Sequence, residues 1–222
     1  MSTFLGPIHH WLFNKIKIVE DREKALLDAF AKRYGDKPER LNKELQKKYA
    51  PWFDDTPLDN LIGDHPIHAW LSAAIEKVET REAAFMKALI DNYGKEAEGL
   101  SLEVSYLHGR KNGKKATEEY LSEDPTPEDI YKILKNFFLD GMQCDHIVEV
   151  DQHSDRVIVE KHTDCLHRTY WRNAGMPEGF MCDYILKWMD GFVAAFSGRI
   201  RHLRQKSISK GDTHCEDVFK KE

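Results

Sequence analysis

Cys165 stands in the run His162-Thr163-Asp164-Cys165-Leu166-His167, which places a thiol among two imidazoles and a carboxylate. Cys182 opens a helical stretch, Cys215 follows His214 in an extended one, and Cys144 precedes Asp145 and His146. A thiol attacks an electrophilic carbon, such as a C=N or an amide carbonyl, as its thiolate, and therefore needs a nearby base or positive charge. Cys165 is the best candidate. If the chain is extended there, His167 lies on the same side two positions on, with His162 and Asp164 as further acid–base groups. A second chemistry uses the same atoms. Cys165, Cys182 and Cys215, with His214, His167 or His162 as a fourth ligand, suit zinc or iron in a structural or a water-activating site. No Cys-x-x-Cys pair accompanies them. In a third reading the cysteines are small buried apolar groups. Distance along the chain does not choose among the three, because catalytic pairs meet in the fold.

Around these residues the chain is dense in rings: Phe137, Phe138, Tyr170, Trp171, Phe180, Tyr184, Trp188, Phe192 and Phe196. Most recur at helical spacing and read as core, yet such rings with a few polar groups also line small-molecule pockets. In Tyr170-Trp171-Arg172-Asn173, Arg172 could clamp a carboxylate or make a loop ion pair.

The elements that must position these groups are readable. Helix continues from Ala97 to about Leu121, with a break expected at Gly109 to Gly113. Asp124-Pro125-Thr126-Pro127-Glu128-Asp129 is a helix start, with Thr126 as N-cap, Pro127 in the first position and acids in the first turn. That helix is expected to reach Phe138. Residues 145–150 and 156–161 alternate as a hairpin about Ser154-Asp155, and 199–208 with 213–219 as a second about Ser209 to Asp212. A helix spans about 178–196 between them. Arg199, Arg201, Arg204, Lys206 and Lys210 run along the third strand, as a solvated face or an anion-binding patch. Four antiparallel strands with helices make an α+β layer.

The first half contains a duplication. Pro7-Ile8-His9-His10-Trp11-Leu12 recurs as Pro66-Ile67-His68-Ala69-Trp70-Leu71, 59 positions later. The register holds without a gap through Val19-Glu20 on Val78-Glu79, Arg22-Glu23 on Arg81-Glu82 and Tyr34-Gly35 on Tyr93-Gly94. Each copy reads as a long helix between a proline start and a glycine stop, with a shorter helix, about Pro38 to Tyr49, between them. An antiparallel, quasi-two-fold pair is expected. His9 and His68 could face each other and hold a metal or haem. Glu20 and Glu79 lie about 16 Å further along their helices, too far to join them. The structural alternative packs His and Trp at the helix starts and links the helices through Glu20-Arg22-Glu23 and its copy.

The 222 residues thus divide into a helical region, 1–95, and an α+β ligand or catalytic domain, 96–222. Net charge is −5, which argues against a nucleic-acid partner. No stretch approaches the roughly 20 apolar residues of a membrane span, and Met1 to Pro7 lacks an export signal. A cytoplasmic, reducing setting is expected, where four cysteines are thiols or ligands before they are disulfides. The long helices could pair with each other or with a second copy, as a homodimer.

Cys165, Cys182 on a helix, and an Arg-bearing strand ending Lys210-Gly211-Asp212-Thr213-His214-Cys215-Glu216-Asp217-Val218-Phe219 resemble the C-terminal signature of the L-2-amino-thiazoline-4-carboxylic acid hydrolase family. They are more remotely similar to ligand-binding domains of the vinyl-reductase type. Gly-Asp-x-x-Cys is the most specific piece, and the resemblance covers about the last hundred residues. It implies a hydrolase opening a small thiazoline-carboxylate-like C–N or C–S compound. Cys165 would be nucleophile or ligand, His167 or His162 the base, with Cys182 and Cys215 shaping the site. The alternative is a non-enzymatic module that senses a metal, haem or small ligand.

Overall fold

The repeated segments form α1 (Pro7–Tyr34) and α4 (Ile67–Tyr93) in the computed structural model, which describes residues 5–120, 124–196 and 199–222. Both helices end on a glycine of positive φ, 73° at Gly35 and 63° at Gly94. That conformation suits glycine and lets each cap amide donate back into the last turn, to the carbonyls of Ala31 and Ile90.

The antiparallel arrangement expected from the sequence does not form; the two helices run parallel. The His9 and His68 rings lie 5.6 Å apart at one end, while Tyr34 and Tyr93 stack at 4.0 Å at the other. The connection explains the direction. Short links make antiparallel neighbours, whereas here α2 (Lys37–Tyr49) turns back beside both helices before α3 (Leu58–Ile62) leads into α4.

Between α1 and α4 the duplicated charges cross. Arg22 gives two parallel hydrogen bonds of 2.6 Å to Glu82, and Arg81 donates to Glu23 at 2.8 Å. Each arginine thus reaches the glutamate one position past its own counterpart. Arg81 also donates to Glu20 and to the carbonyls of Ala50 and Pro51. Asn42 of α2 donates to Glu23. All of these side chains are buried.

The break expected at Gly109 to Gly113 is absent. α5 (Lys95–Glu119) runs straight through it. The glycines instead admit α8 (Glu178–Val193): a Cβ on Gly109 would sit 1.9 Å from the Trp188 carbonyl oxygen, and one on Gly113 2.3 Å from that of Phe192. Gly191 of α8 meets the Tyr106 carbonyl in the same way. Trp188 Nε1–H donates to His108 Nδ1 at 2.8 Å, which leaves His108 Nε2 to donate to Asp21 of α1.

Thr126 caps α6 (Pro127–Leu134) as expected, its hydroxyl accepting from the Asp129 amide. The helix stops at Leu134 rather than Phe138, because tight turns at Asn136 and Phe137 replace its last hydrogen bonds. The freed chain carries Phe138 and Asp140 inward. β1 (Val148–His153), β2 (Val157–His162), β3 (Ile200–Lys206) and β4 (Cys215–Lys221) form one antiparallel sheet of order β1-β2-β4-β3. α7 (His167–Asn173) follows β2. The fold is α+β. One apolar core joins Phe30 of α1 and Phe85 of α4 to Trp188 of α8 and Phe219 of β4. Among the described residues no helix is long and apolar enough to cross a membrane.

Two alanine substitutions on α5 separate packing from propensity. Gly109→Ala is expected to destabilise by about 2–3 kcal/mol, because α8 must move away. Gly99→Ala, with nothing within 4 Å of its added Cβ, should stabilise by up to about 1 kcal/mol. Urea unfolding of both variants reads the difference. Arg81→Ala strands Glu20 and Glu23 in the interior and should cost about 3–5 kcal/mol in the same assay.

Candidate active site

Side chains alternate across a strand, so residues two apart share a face. On β2 that rule puts Ile158, Glu160 and His162 on the face toward the helices; on β4 it puts Cys215, Asp217 and Phe219 there. The register sets His162 opposite Cys215 and Glu160 opposite Asp217, while Arg204 of β3 faces Asp217 from the other side. Charged groups thus form adjacent rows on a buried sheet face.

They open onto a pocket of about 560 Å³, a volume that takes in open solvent at its mouth. Cys165, Cys182 and Cys215 all line it, with His162, His167, Asp140, Asp217 and Arg204. Phe138, Trp171, Ile185 and Met189 supply apolar wall. Of the residues singled out in the sequence, Asp164 also lines the pocket, its carboxylate accepting from the Cys165 amide at 2.7 Å. Trp171 stacks on His167. Arg172 pairs with Glu178 on the exposed side of α7, and Tyr170 packs against the cluster at the starts of α1 and α4. His214 stands apart among Lys206, Thr213 and Glu216. Cys144 is exposed.

The polar groups are wired in series. His162 Nε2 donates to Asp140 at 2.8 Å. Lys135 bridges Asp140 at 3.1 Å and Glu160 at 3.0 Å, and Tyr131 donates to Glu160. His167 Nδ1 donates to Glu79 at 2.6 Å, and its Nε2 lies 4.0 Å from Asp140. Glu79 is the repeat partner of Glu20, so the duplication is broken where one glutamate serves the pocket. Asp217 accepts on one oxygen from His202 at 2.8 Å and from Arg204 at 2.6 Å. Its other oxygen has no hydrogen bond, and neither has His162 Nδ1, which it faces as an ion pair at 3.8 Å.

Burial opposes the charge on His162, but Asp140, Glu160 and Asp217 outweigh it and raise its pKa. His167 rises likewise against burial through Glu79 and Asp140, and His202 through Asp190 and Asp217. Burial also works against Asp140, yet His162 and Lys135 hold it well below the carboxylate range; Asp217, with His202 and Arg204, is held at about 2. The thiols respond oppositely. Burial pushes Cys165 up to about 12 and raises Cys215.

Asp140, Glu160 and His162 each bring one ligand atom within 4.8 Å of the others. Lys135 holds its ammonium between the two carboxylates, where a cation would sit. No other group of three among the described residues reaches that spacing, so the thiols meet in one pocket without closing on a common centre.

Sequence reading missed Asp140, Lys135 and Glu160; Arg204 stood only in the basic run of the third strand, read as a solvated face or an anion-binding patch, and Asp217 and Glu79 were noted without a place in the site. Period-two alternation from His162 and Cys215 would have found Glu160 and Asp217. Asp140 lies in a loop with no periodicity to mark it.

A family model described as L-2-amino-thiazoline-4-carboxylic acid hydrolase matches residues 72–219. The match begins inside α4 and so takes in most of the second repeat copy, further than the last hundred residues. No curated protein matches. A solved structure titled "Probing the function of heme distortion in the H-NOX family" aligns over 89% of this chain and 92% of its own, at 14% identity and a TM-score of 0.38. A likeness at that level carries no argument.

The raised histidines predict how stability varies with pH. Their ion pairs stabilise fully below the ordinary histidine value of 6.5 and are lost as pH climbs through the raised values. The depressed Asp140 and Asp217 stabilise above the ordinary 3.8 and are lost as pH falls through their own values. The margin in urea midpoint of the parent over His162→Gln should therefore be wider near about pH 5.5 than near about pH 9.

Proposed function

The chain belongs to the L-2-amino-thiazoline-4-carboxylic acid hydrolase family, and we propose that its pocket hydrolyses a small thiazoline-carboxylate-like C–N or C–S compound. The observation that carries this reading is the His162 imidazole. Asp140 holds Nε2 at 2.8 Å, while Nδ1 is left over in a pocket flanked by three thiols. Its carboxylate neighbours favour the imidazolium, and His162 is the general acid. Water adds its oxygen to the ring carbon between the heteroatoms, and the ring C–N or C–S bond breaks. His162 Nδ1 gives its proton to the ring nitrogen, takes one from the attacking water and passes it to the departing sulfur or nitrogen; the second proton of that water restores the imidazolium as the new C–O bond becomes a carbonyl.

Arg204 receives the substrate carboxylate. Its Nε is committed to Asp217 and Nη1 lies 3.8 Å from Cys182 Sγ, while Nη2 has no hydrogen bond among the described residues. His167, tied to Glu79 and near Asp140, positions the acid pair. Burial holds the Cys165 thiol at about 12, so little thiolate is present, and water is the nucleophile that His162 Nδ1 deprotonates once it has given up its own proton. Cys182 and Cys215 shape the wall.

The test is turnover of L-2-amino-thiazoline-4-carboxylic acid by the purified protein, followed by mass spectrometry. Asp140→Asn and His162→Gln should lower kcat by about 10²–10⁴ while circular dichroism is unchanged. Cys165→Ser should stay within about tenfold of the parent if water attacks directly, and a loss as deep as that of His162→Gln would make Cys165 the nucleophile. A parent protein inert toward this compound and other thiazoline carboxylates sinks the proposal.

A further inference from the structure

We propose that His162 Nδ1 and Asp217 Oδ2 together read the N=C–N–H edge of a 2-amino heterocycle, with Asp217 as the residue that selects for the exocyclic amine. The inference rests on the hydrolase reading of this pocket and adds which substrate group is recognised, and by what.

Both atoms are buried and without a hydrogen bond, in residues 8% and 0% exposed, and they face each other at 3.8 Å. Buried polar atoms nearly always have partners, and one left without costs free energy that a ligand can recover. Neither group can turn to find another partner. Asp140 fixes the ring through Nε2, and His202 with Arg204 holds the other Asp217 oxygen. Strand register fixes the backbones: His162 pairs with Cys215, two residues from Asp217. The vacant valences are therefore built into the site.

Their separation and polarity select a ligand class. The two nitrogens of an N–C–N unit lie about 2.3 Å apart, so hydrogen bonds of about 2.9 Å from atoms 3.8 Å apart converge on that edge with little splay. Asp217 can only accept, so the amine must donate to it. The ring nitrogen shares one proton with Nδ1, whichever of the two carries it. A 2-alkyl ring offers nothing to Asp217 Oδ2 and would leave that oxygen buried without a hydrogen bond. Hydrolysis that keeps the amine leaves an O=C–N–H edge with the same order of acceptor and donor, so the pair also fits the carbamoyl product.

Calorimetric titration with 2-aminothiazoline and with 2-methylthiazoline tests this on the parent protein and on Asp217→Asn, with no turnover required. The parent should bind the amino compound about 10²-fold or more tightly than the methyl compound, as sites built to hydrogen-bond a polar group reject analogues that lack it. Asp217→Asn, which turns an amide N–H toward the amine, should lose that preference while its affinity for 2-methylthiazoline is kept. Should Asp217→Asn not fold, the ratio in the parent protein decides alone. Equal affinities in the parent, no binding of 2-aminothiazoline, or a preference that survives in a folded Asp217→Asn would each overturn the inference. A protein that shows the Asp217-dependent preference but turns nothing over fails the hydrolase reading alone. One that turns the substrate over without the preference fails only the recognition pair.

Discussion

The crossed arginine–glutamate pairs between α1 and α4 are the constraint on which the rest of the molecule rests. Charges at this depth are tolerable only when every lone pair and proton has a partner, because desolvation otherwise exceeds the Coulomb gain. Arg22 with Glu82, and Arg81 with Glu23 and Glu20, meet that condition in one relative position of the helices. A slip of one turn would leave five charged groups buried without partners. The pairs therefore fix the register, and they recruit the neighbours. Tyr184 of α8 donates to Glu82, and Asn42 of α2 donates to Glu23.

From that frame the pocket inherits its position. α5 and α8 approach through Gly109, Gly113 and Gly191, which brings Cys182, Ile185 and Met189 over the sheet. α4 lies against α7, and through Glu79 it orients His167. The sheet supplies the remaining charges from adjacent strands, where alternation sends them inward together. An apolar wall and a charged floor result; burial raises the pKa of Cys165 and Cys215, while His162, Lys135, His202 and Arg204 keep Asp140 and Asp217 ionised against it. Burial pushes both kinds of acid upward, and the outcome differs because Asp140 and Asp217 accept short hydrogen bonds from cationic side chains whereas Cys165 has none.

Much of this was legible in the sequence, and the failures have physical causes. The helix starting at Thr126, both hairpins and the repeated helices follow from capping chemistry and periodicity, which act over a few residues. The direction of the α1–α4 pair was misread because it depends on where the intervening helix packs. Gly109 and Gly113 were misread because glycine at a close helix contact and glycine at a break look alike without the partner helix. Cys165, Cys182 and Cys215 were picked out together by a family resemblance and do line one pocket. The carboxylates beside them were not, since Asp140 and Asp217 gain their meaning from His162, His202 and Arg204, which reach them only in the fold.

Strand order has a consequence for how the molecule is made. β4 is the last strand in chain order, yet it lies between β2 and β3. As the chain leaves the ribosome, the β1–β2 hairpin exists with one edge of β2 unpaired, and β3 has no neighbour in the sheet until β4 emerges. Glu160 and His162 stay half-framed during that interval, and Arg204 waits for Asp217. Only the pairing of β4 with both β2 and β3 sets Cys215 and Asp217 between His162 and Arg204, so the charged floor of the pocket is closed by one strand that joins two others already made.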